Sequence, residues 1–166
     1  MALSPTDIMN TAGIRLPKDA CVVIIRTEWN KHIVDLLEKG CTEQLERNQV
    51  HYKLVTVPGA FELVFGIKQY WDTHKYKDDK PHAFIALGCV LKGDTPHFEY
   101  VCQAVTEGIL QLNLSLPVPS IFGVLTVDSQ LQADERTGGK HGNKGAEAAV
   151  TALKMISLSE SFKYKK

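Results

Sequence analysis

The sequence predicts one three-layer α/β/α sandwich built on a four-stranded parallel sheet. Short β-branched runs alternate with longer amphipathic runs, a pattern typical of parallel strands joined by crossover helices. Residues Ala83–Leu91 are apolar on both strand faces, as expected at the centre of such a sheet. The length of 166 residues matches a single domain. We therefore assign residues 1–166 to one domain with its core at about 20–160, and predict that the N-terminal segment and the lysine-rich C-terminal tail are peripheral.

The first third of the chain predicts two strands and one helix. Residues 22–25 form a compact apolar run of the kind seen in a buried strand. Asn30 is a helix-capping residue type, and the helix predicted after it has an apolar face that repeats every four residues. That face comprises Ile33, Leu37, Cys41 and Leu45. Residues 52–57 predict the second strand, which Pro58-Gly59 closes.

The middle of the chain predicts a helix, the central strand and a second helix. Residues 61–71 carry apolar side chains at helical spacing. The polar stretch 72–81 is the most linker-like segment, but it is too short to separate domains. The third strand is Ala83–Leu91, and the loop 92–97 leads from it into a helix predicted over 98–114.

The last part of the chain predicts a strand, a short helix, a loop and a final helix. Two prolines end the preceding helix and introduce a strand over Ser120–Val127. A short helix near 129–135 precedes a glycine-rich loop at 138–145. The final helix covers roughly residues 146–158.

Charge and hydropathy exclude several classes of protein. The chain has 19 Lys and Arg against 19 Asp and Glu, whereas a nucleic-acid binder that relies on phosphate contacts carries a basic excess. Adhesion to anionic membranes is disfavoured for the same reason. The longest apolar run, Ala83–Leu91, is far short of the roughly 20 residues of a membrane span, and residues 1–18 lack the apolar core of a signal peptide. We expect a cytoplasmic protein.

The cysteines predict buried free thiols. Cys21, Cys41, Cys89 and Cys102 form no Cys-x-x-Cys pair and no even framework, and three of them lie in apolar or amphipathic runs. Metal binding and disulfide formation are the less favoured alternatives.

Polar, aromatic and glycine residues follow the predicted strands where each one ends. They lie at Trp29-Asn30, at 58–62, at 92–97 and at 126–128. Because ligands bind at the carboxyl ends of strands in an open parallel sheet, we expect these four segments to form one site.

The loop at 92–97 contains the strongest candidate residues. Gly93 permits close backbone approach, and Asp94 and Thr95 stand where the next helix begins, a position that favours phosphate. His97 beside them is suited to proton transfer near neutral pH. The alternative is a helix-capping loop with an incidental surface histidine.

Five further candidates have structural alternatives. Trp29 is a stacking face for a planar ligand or a packing residue, and Phe61 and Phe122 share that ambiguity. Glu62 is a ligand contact or a stabiliser of its helix N-terminus. Arg136, before the glycine-rich loop, binds an anion or interacts with the helix dipole.

Several known sequence motifs are absent from the chain. The loop 138–145 only superficially resembles a Walker A motif, no Gly-x-Gly-x-x-Gly follows a strand, and no Gly-x-Ser-x-Gly occurs. The first strand ends in Arg26-Thr27 and not in an acidic cluster, which argues against a phospho-acceptor receiver domain.

Five segments in order resemble the 6,7-dimethyl-8-ribityllumazine synthases of riboflavin biosynthesis. They are Trp29-Asn30, VPGAFE at 57–62, LGCVLKGDTPHFEY at 87–100, IFGVLT at 121–126 and GNKGAEAA at 142–149. The resemblance extends over about residues 22–158 and implies a flavodoxin-like sheet order. It also implies a condensation without a cofactor or metal: 5-amino-6-(D-ribitylamino)uracil joins 3,4-dihydroxy-2-butanone 4-phosphate with release of phosphate and water.

The resemblance implies a role for each of fourteen residues. His97 matches the proton donor and acceptor. The residues that match substrate-binding positions are Trp29 on the pyrimidine ring, Asn30, Ala60, Phe61 and Glu62 on the ribityl chain, Cys89, Val90 and Leu91 along the ring, Asp94 and Thr95 at the phosphate substrate, Phe122 from the neighbouring subunit, Arg136 at the phosphate, and Lys144 nearby.

Members of this family are homopentamers with sites between subunits, and many assemble twelve pentamers into an icosahedral shell of 60 subunits. The short loop at 138–145 favours the shell, because pentamer-only members from yeasts carry an insertion there. Riboflavin synthase is a candidate partner. The chain departs from the family at Leu63-Val64, Lys92 and Asp94, and no departure removes a proposed chemical group. The alternative function is a flavin- or lumazine-binding or storage protein on the same scaffold, which Trp29 favours and His97 with Arg136 disfavours.

Overall fold

The computed structural model describes residues 8–163 and contains the predicted parallel sheet. The strands are β1 (Cys21–Thr27), β2 (His51–Val57), β3 (Ala83–Leu91) and β4 (Ser120–Val127), in the order β2-β1-β3-β4. All three pairings are parallel. The N-terminal segment and the C-terminal tail are predicted to be peripheral, and residues 1–7 and 164–166 of these regions lie outside the described part of the chain.

Five helices and one 3₁₀ turn with both ends in the described part of the chain accompany the sheet. They are α1 (Lys31–Arg47), the 3₁₀ turn (Ala60–Glu62), α2 (Leu63–His74), α3 (His97–Ser115), α4 (Gln130–Asp134) and α5 (Lys144–Lys163). No described helix has both the length and the apolar character needed to cross a bilayer.

The sheet separates two hydrophobic cores, which confirms the three-layer prediction. Alternate side chains of a strand point to opposite faces, so Ile24 and Ile85 pack against α1 and α5 while Val23 and Phe84 pack against α2 and α3. Residues on both faces of β3 are buried over its first seven positions. The apolar run of β3 reflects this central place, with β1 and β4 as its neighbours.

Helices α1 and α5 approach each other closely at two glycines. A Cβ atom on Gly145 would overlap the backbone of Leu37, and one on Gly40 would overlap the side chain of Asn143. Gly40 therefore has a packing role in α1 beyond its cost in helix propensity. Asn143 connects the two helices: its Nδ2 donates to the carbonyl oxygen of Leu36 at 3.0 Å, and its Oδ1 accepts from the Gly145 N–H at 2.8 Å.

The glycine-rich segment 138–145 is more ordered than the loop that the sequence predicts. It contains a short antiparallel hairpin of β5 (Thr137–Gly139) and β6 (Gly142–Asn143), and α5 begins two residues earlier than expected. Gly138 and Gly142 have φ of 125° and 75°, and these values account for the glycines, since other residues rarely adopt them. The early helix start follows from Asn143, which caps α5.

An ion-pair network fixes the beginning of α1 to the end of β1. Arg26 is half-buried, and its guanidinium donates to Asp35 at 2.6 Å and to Glu38. Hydrogen bonds from Lys31 and Arg26 hold the pKa of Asp35 below its ordinary value. The turn between β1 and α1 is therefore anchored on both sides.

Candidate active site

The carboxyl ends of β1, β2 and β3 surround one cavity with the start of α3. Its volume is about 600 Å³, within the range usual for small-molecule sites. Ten of the fourteen residues predicted from the sequence line it: Trp29, Asn30, Ala60, Phe61, Glu62, Cys89, Val90, Leu91, Thr95 and His97. Of the four strand-end segments that we expected to form one site, those after β1, β2 and β3 line this cavity. The segment 126–128 does not line it, because β4 is the edge strand and lies beyond β3.

The turn after β1 holds Trp29 at the rim of the cavity. The N–H groups of Glu28 and Trp29 donate to the carbonyl oxygens of Val57 and Pro58 at 2.9 and 3.1 Å, so the turn is tied to the end of β2. The Trp29 side chain is 69% exposed. An indole this exposed offers a face to a planar ligand, and this geometry favours stacking over packing.

Asn30 does not cap α1 through its side chain, contrary to the prediction. Its backbone is left-handed, with φ 56° and ψ 39°, and its side chain makes no cap hydrogen bond. The side-chain Nδ2 donates instead to the carbonyl oxygen of Cys89 at 2.8 Å. Asparagine adopts this backbone conformation more readily than most residues, which permits the long-range hydrogen bond.

The turn after β2 places Glu62 in the cavity wall. The residues Ala60–Glu62 form a 3₁₀ turn before α2, where the sequence predicts a helix beginning at Phe61. The Glu62 carboxylate accepts a hydrogen bond from the Gly59 N–H at 3.0 Å, as in a capping box. Glu62 therefore stabilises its own turn and also lines the cavity, so the two functions considered for it are compatible.

The end of β3 supplies the apolar wall through Cys89, Val90 and Leu91. Cys89 is buried, and burial raises the pKa of its thiol to about 11. The thiolate is the nucleophilic form of cysteine, and so raised a pKa leaves almost none of it near neutral pH. Cys89 therefore contributes shape to the wall, as a small buried hydrophobic residue.

The loop after β3 brings His97 to the cavity as the first residue of α3. The loop is anchored at its start, because the Lys92 N–H donates to the carbonyl oxygen of Val127 at 2.9 Å. Thr95 and His97 line the cavity, whereas Asp94 is exposed and outside the lining. The first N–H groups of a helix lack partners within it, so this corner is suited to an anion.

Phe122 and Lys144 lie elsewhere in the chain. They line a second groove, between the free edge of β4 and α5, where the Lys144 Nζ donates to Glu147 at 2.6 Å. Phe122 is 39% exposed. A single chain therefore does not bring these two residues to the cavity that holds His97.

Arg136 also lies outside the cavity lining. It follows α4, and its guanidinium donates to the carbonyl oxygen of Gln132 at 3.0 Å. The Glu135 carboxylate is 3.9 Å from the same guanidinium nitrogen. This contact with the carboxyl end of α4 corresponds to the helix-dipole interaction that is the alternative to anion binding for Arg136.

Phe98 and Val101 line the cavity although neither was predicted as a site residue. Val101 follows Phe98 by three residues and His97 by four, so it shares a face of α3 with each of them, and this helical spacing is the signal that could have identified the pair. No group of three or more metal-ligating side chains occurs among residues 8–163.

The cavity combines three kinds of chemistry. Its walls are mainly apolar with aromatic rings at the rim, its polar groups include the Glu62 carboxylate, and a histidine stands where an anion can bind. This arrangement suits a planar, polar ligand next to a group that exchanges protons.

Comparison with known proteins identifies the family. The family model of 6,7-dimethyl-8-ribityllumazine synthase matches residues 19–160. The chain is 48% identical to the 6,7-dimethyl-8-ribityllumazine synthase of Parabacteroides distasonis over 139 residues, covering 82% of this chain and 84% of that protein. It is 50% identical over 144 residues to that of Porphyromonas gingivalis, covering 85% and 86%, and 44% identical over 138 residues to that of Bacteroides fragilis, covering 81% and 93%. Because the matched segment includes every element from β1 to β6 and most of α5, the chain belongs to the 6,7-dimethyl-8-ribityllumazine synthase family.

Proposed function

We propose that the chain condenses 5-amino-6-(D-ribitylamino)uracil with 3,4-dihydroxy-2-butanone 4-phosphate to form 6,7-dimethyl-8-ribityllumazine, phosphate and water. The observation that carries this proposal is the single cavity that contains Trp29, Glu62 and His97 at the strand ends. The membership of the chain in the family supplies the reaction. The reaction is the penultimate step of riboflavin biosynthesis.

The cavity binds the pyrimidine substrate in this proposal. The exposed Trp29 ring stacks on the uracil, and Cys89, Val90 and Leu91 line the opposite side. Ala60, Phe61 and Glu62, together with Asn30, hold the ribityl chain. The carboxylate of Glu62 is the acceptor that a polyol requires.

His97 moves protons in the condensation. The amine attacks the ketone to form a Schiff base with loss of one water, and phosphate is then eliminated. The ribitylamino nitrogen closes the ring on the remaining carbonyl carbon with loss of a second water. Each step transfers a proton, which a histidine near neutral pH both accepts and donates. The N-terminus of α3, with Asp94 and Thr95 beside it, stabilises the phosphate as it departs.

The remaining site residues come from a neighbouring copy of the chain. Phe122 closes the pyrimidine site, Arg136 binds the phosphate, and Lys144 adds positive charge. Support comes from the positions of Phe122 and Lys144 at the free edge of β4, in a groove separate from the cavity. Such an arrangement requires a heterologous contact that closes into a ring, and a homopentamer meets that requirement.

The larger assembly and cellular setting are also proposals. Twelve pentamers form an icosahedral shell, supported by the short segment between β5 and β6 in place of an insertion. The protein works in the cytoplasm, and riboflavin synthase, which uses the lumazine product, is its candidate partner.

The direct test mixes purified protein with both substrates and follows the lumazine by absorbance and fluorescence. We expect product to form faster than in the protein-free mixture, and to be absent when either substrate is omitted. The physical reason is that a site holding both substrates in register lowers the barrier by several kcal/mol. A folded protein that binds lumazine or flavin without accelerating the reaction would contradict the enzyme and favour the storage protein.

A further inference from the structure

The side chain of Asn30 joins two walls of the cavity that are far apart in sequence. Its Nδ2 donates to the carbonyl oxygen of Cys89 at 2.8 Å. We call this hydrogen bond the Asn30–Cys89 bridge. It connects the turn after β1 with the end of β3, and the left-handed backbone of Asn30 accompanies it.

The bridge matters because little else holds the Trp29 ring in place. The side chain is 69% exposed, so packing gives it few fixed contacts. Its backbone is held by the hydrogen bond from its N–H to Pro58 and by the Thr27 hydroxyl, which donates to the Trp29 carbonyl oxygen at 3.2 Å. Both of these contacts are with β1 or the end of β2. The Asn30–Cys89 bridge is a side-chain hydrogen bond that joins this turn to β3.

The Asn30 Nδ2 therefore already donates one hydrogen bond before any substrate arrives, and its second N–H and its Oδ1 are the groups through which it can contact the ribityl chain. We propose that Asn30 is a positioning residue that fixes the separation between the Trp29 ring and the Cys89 wall. A slot of fixed width is preorganised for a planar ring, and preorganisation improves binding because less ordering remains to be done. The identity of the ring as the pyrimidine substrate rests on the proposed function.

The test uses two variants that remove the bridge in different ways. Asn30→Asp keeps the size of the side chain, and aspartate also tolerates the left-handed backbone. It replaces the N–H donor with a carboxylate that faces a carbonyl oxygen. Asn30→Gly removes the donor without adding charge and relaxes the backbone. Both are made with Trp71→Phe, so that emission comes from Trp29 alone, since the chain has two tryptophans.

We expect both Asn30 variants to raise the KM for 5-amino-6-(D-ribitylamino)uracil roughly five- to tenfold, a factor that matches the loss of one hydrogen bond. The KM for the butanone phosphate should not change. In the free protein, acrylamide should quench Trp29 emission more strongly than in the Trp71→Phe parent, because the turn has lost its contact with β3.

Asn48→Asp is the matched control at the other end of α1. The Asn48 Nδ2 also donates to a carbonyl oxygen at 2.8 Å, that of Gln44, and the site lies outside the cavity lining. This control should change neither KM nor quenching. Equal increases in both KM values would indicate a general loss of structure and overturn the proposal, as would unchanged quenching and pyrimidine KM. Because quenching is measured without substrate, it tests the bridge even if the condensation itself is not observed.

Discussion

His97 is one exposed side chain among several groups that the proposed reaction requires. It stands at the first position of α3, where its ring lines the cavity beside the first N–H groups of the helix. Proton transfer is one source of rate acceleration, and the alignment of two substrates is another. The histidine is therefore expected to contribute to turnover without accounting for all of it.

We expect His97→Ala to slow turnover by less than the roughly 100- to 10,000-fold typical of a lost acid–base group. The reason is that substrate alignment in the cavity survives the substitution. Single-turnover kinetics would measure the loss, with binding followed by Trp29 fluorescence in chains that also carry Trp71→Phe. His51→Ala is the control, since His51 is an exposed histidine at the opposite end of β2. Complete loss of turnover with intact substrate binding would contradict the expectation.

At the scale of elements, the contact between α1 and α5 depends on residues that local rules disfavour. Gly40 and Gly145 both lower helix propensity, yet both are buried where the two helices meet. Asn143 fills the space over Gly40 and caps α5. The segment 142–149, which carries part of the family resemblance, therefore has a structural role in addition to any role of Lys144.

Gly145→Ala should lower the free energy of unfolding by about 3 kcal/mol, the upper end of the usual cost of overpacking. A Cβ atom there overlaps backbone atoms of Leu37, which cannot move aside as a flexible side chain can. Urea denaturation at fixed protein concentration measures the change. Gly93→Ala is the matched control: a Cβ atom there meets open space, so stability should change by less than about 1 kcal/mol. Equal stability of the two variants would contradict the packing argument.

At the scale of the whole molecule, the predicted site residues fall into separate groups. The cavity holds ten of the fourteen, while Phe122 and Lys144 share the groove beside β4 and Arg136 follows α4. If neighbouring subunits complete each site, a chain that lacks His97 can still supply Arg136 to its neighbour. A chain that lacks Arg136 can likewise still supply His97. Hybrid assemblies then provide the test.

We expect hybrids of His97→Ala and Arg136→Ala chains to be more active than either parent assembly. In a ring of heterologous contacts with random mixing, about a quarter of the sites combine an intact His97 with an intact Arg136. Co-expression with two different tags, tandem purification and steady-state assay measure this. Arg136→Ala alone should mainly weaken the binding of 3,4-dihydroxy-2-butanone 4-phosphate, which would appear as a higher KM for that substrate. Activity equal to the mean of the two parents would place the whole site within one chain.

The sequence determined the elements because their signals are local. The apolar run of β3 predicted a strand, and the four-residue repeat of apolar side chains in α1 predicted a helix. The predicted bounds of β3 and β4 agree with the structure. Trp29, Glu62 and His97 could be expected in one site because parallel strands end at one edge of a sheet. That reasoning needs only the order of strands and the residues that follow them.

Tertiary structure decided the contacts that join residues distant in the chain. Asn30 has the local signature of a helix cap, yet its amide bonds to Cys89 because folding brings that carbonyl oxygen within 2.8 Å. Gly145 looks unfavourable in a helix until Leu37 is packed against it. The resemblance implies that Phe122 comes from a neighbouring subunit, and folding places it together with Lys144 in a groove separate from the cavity. The four strands of the sheet, its main helices, the edge that carries the site and the family could all be read from the amino-acid sequence. The β5–β6 hairpin and the partner of each side chain depend on three-dimensional packing, since they involve distances that no local pattern encodes.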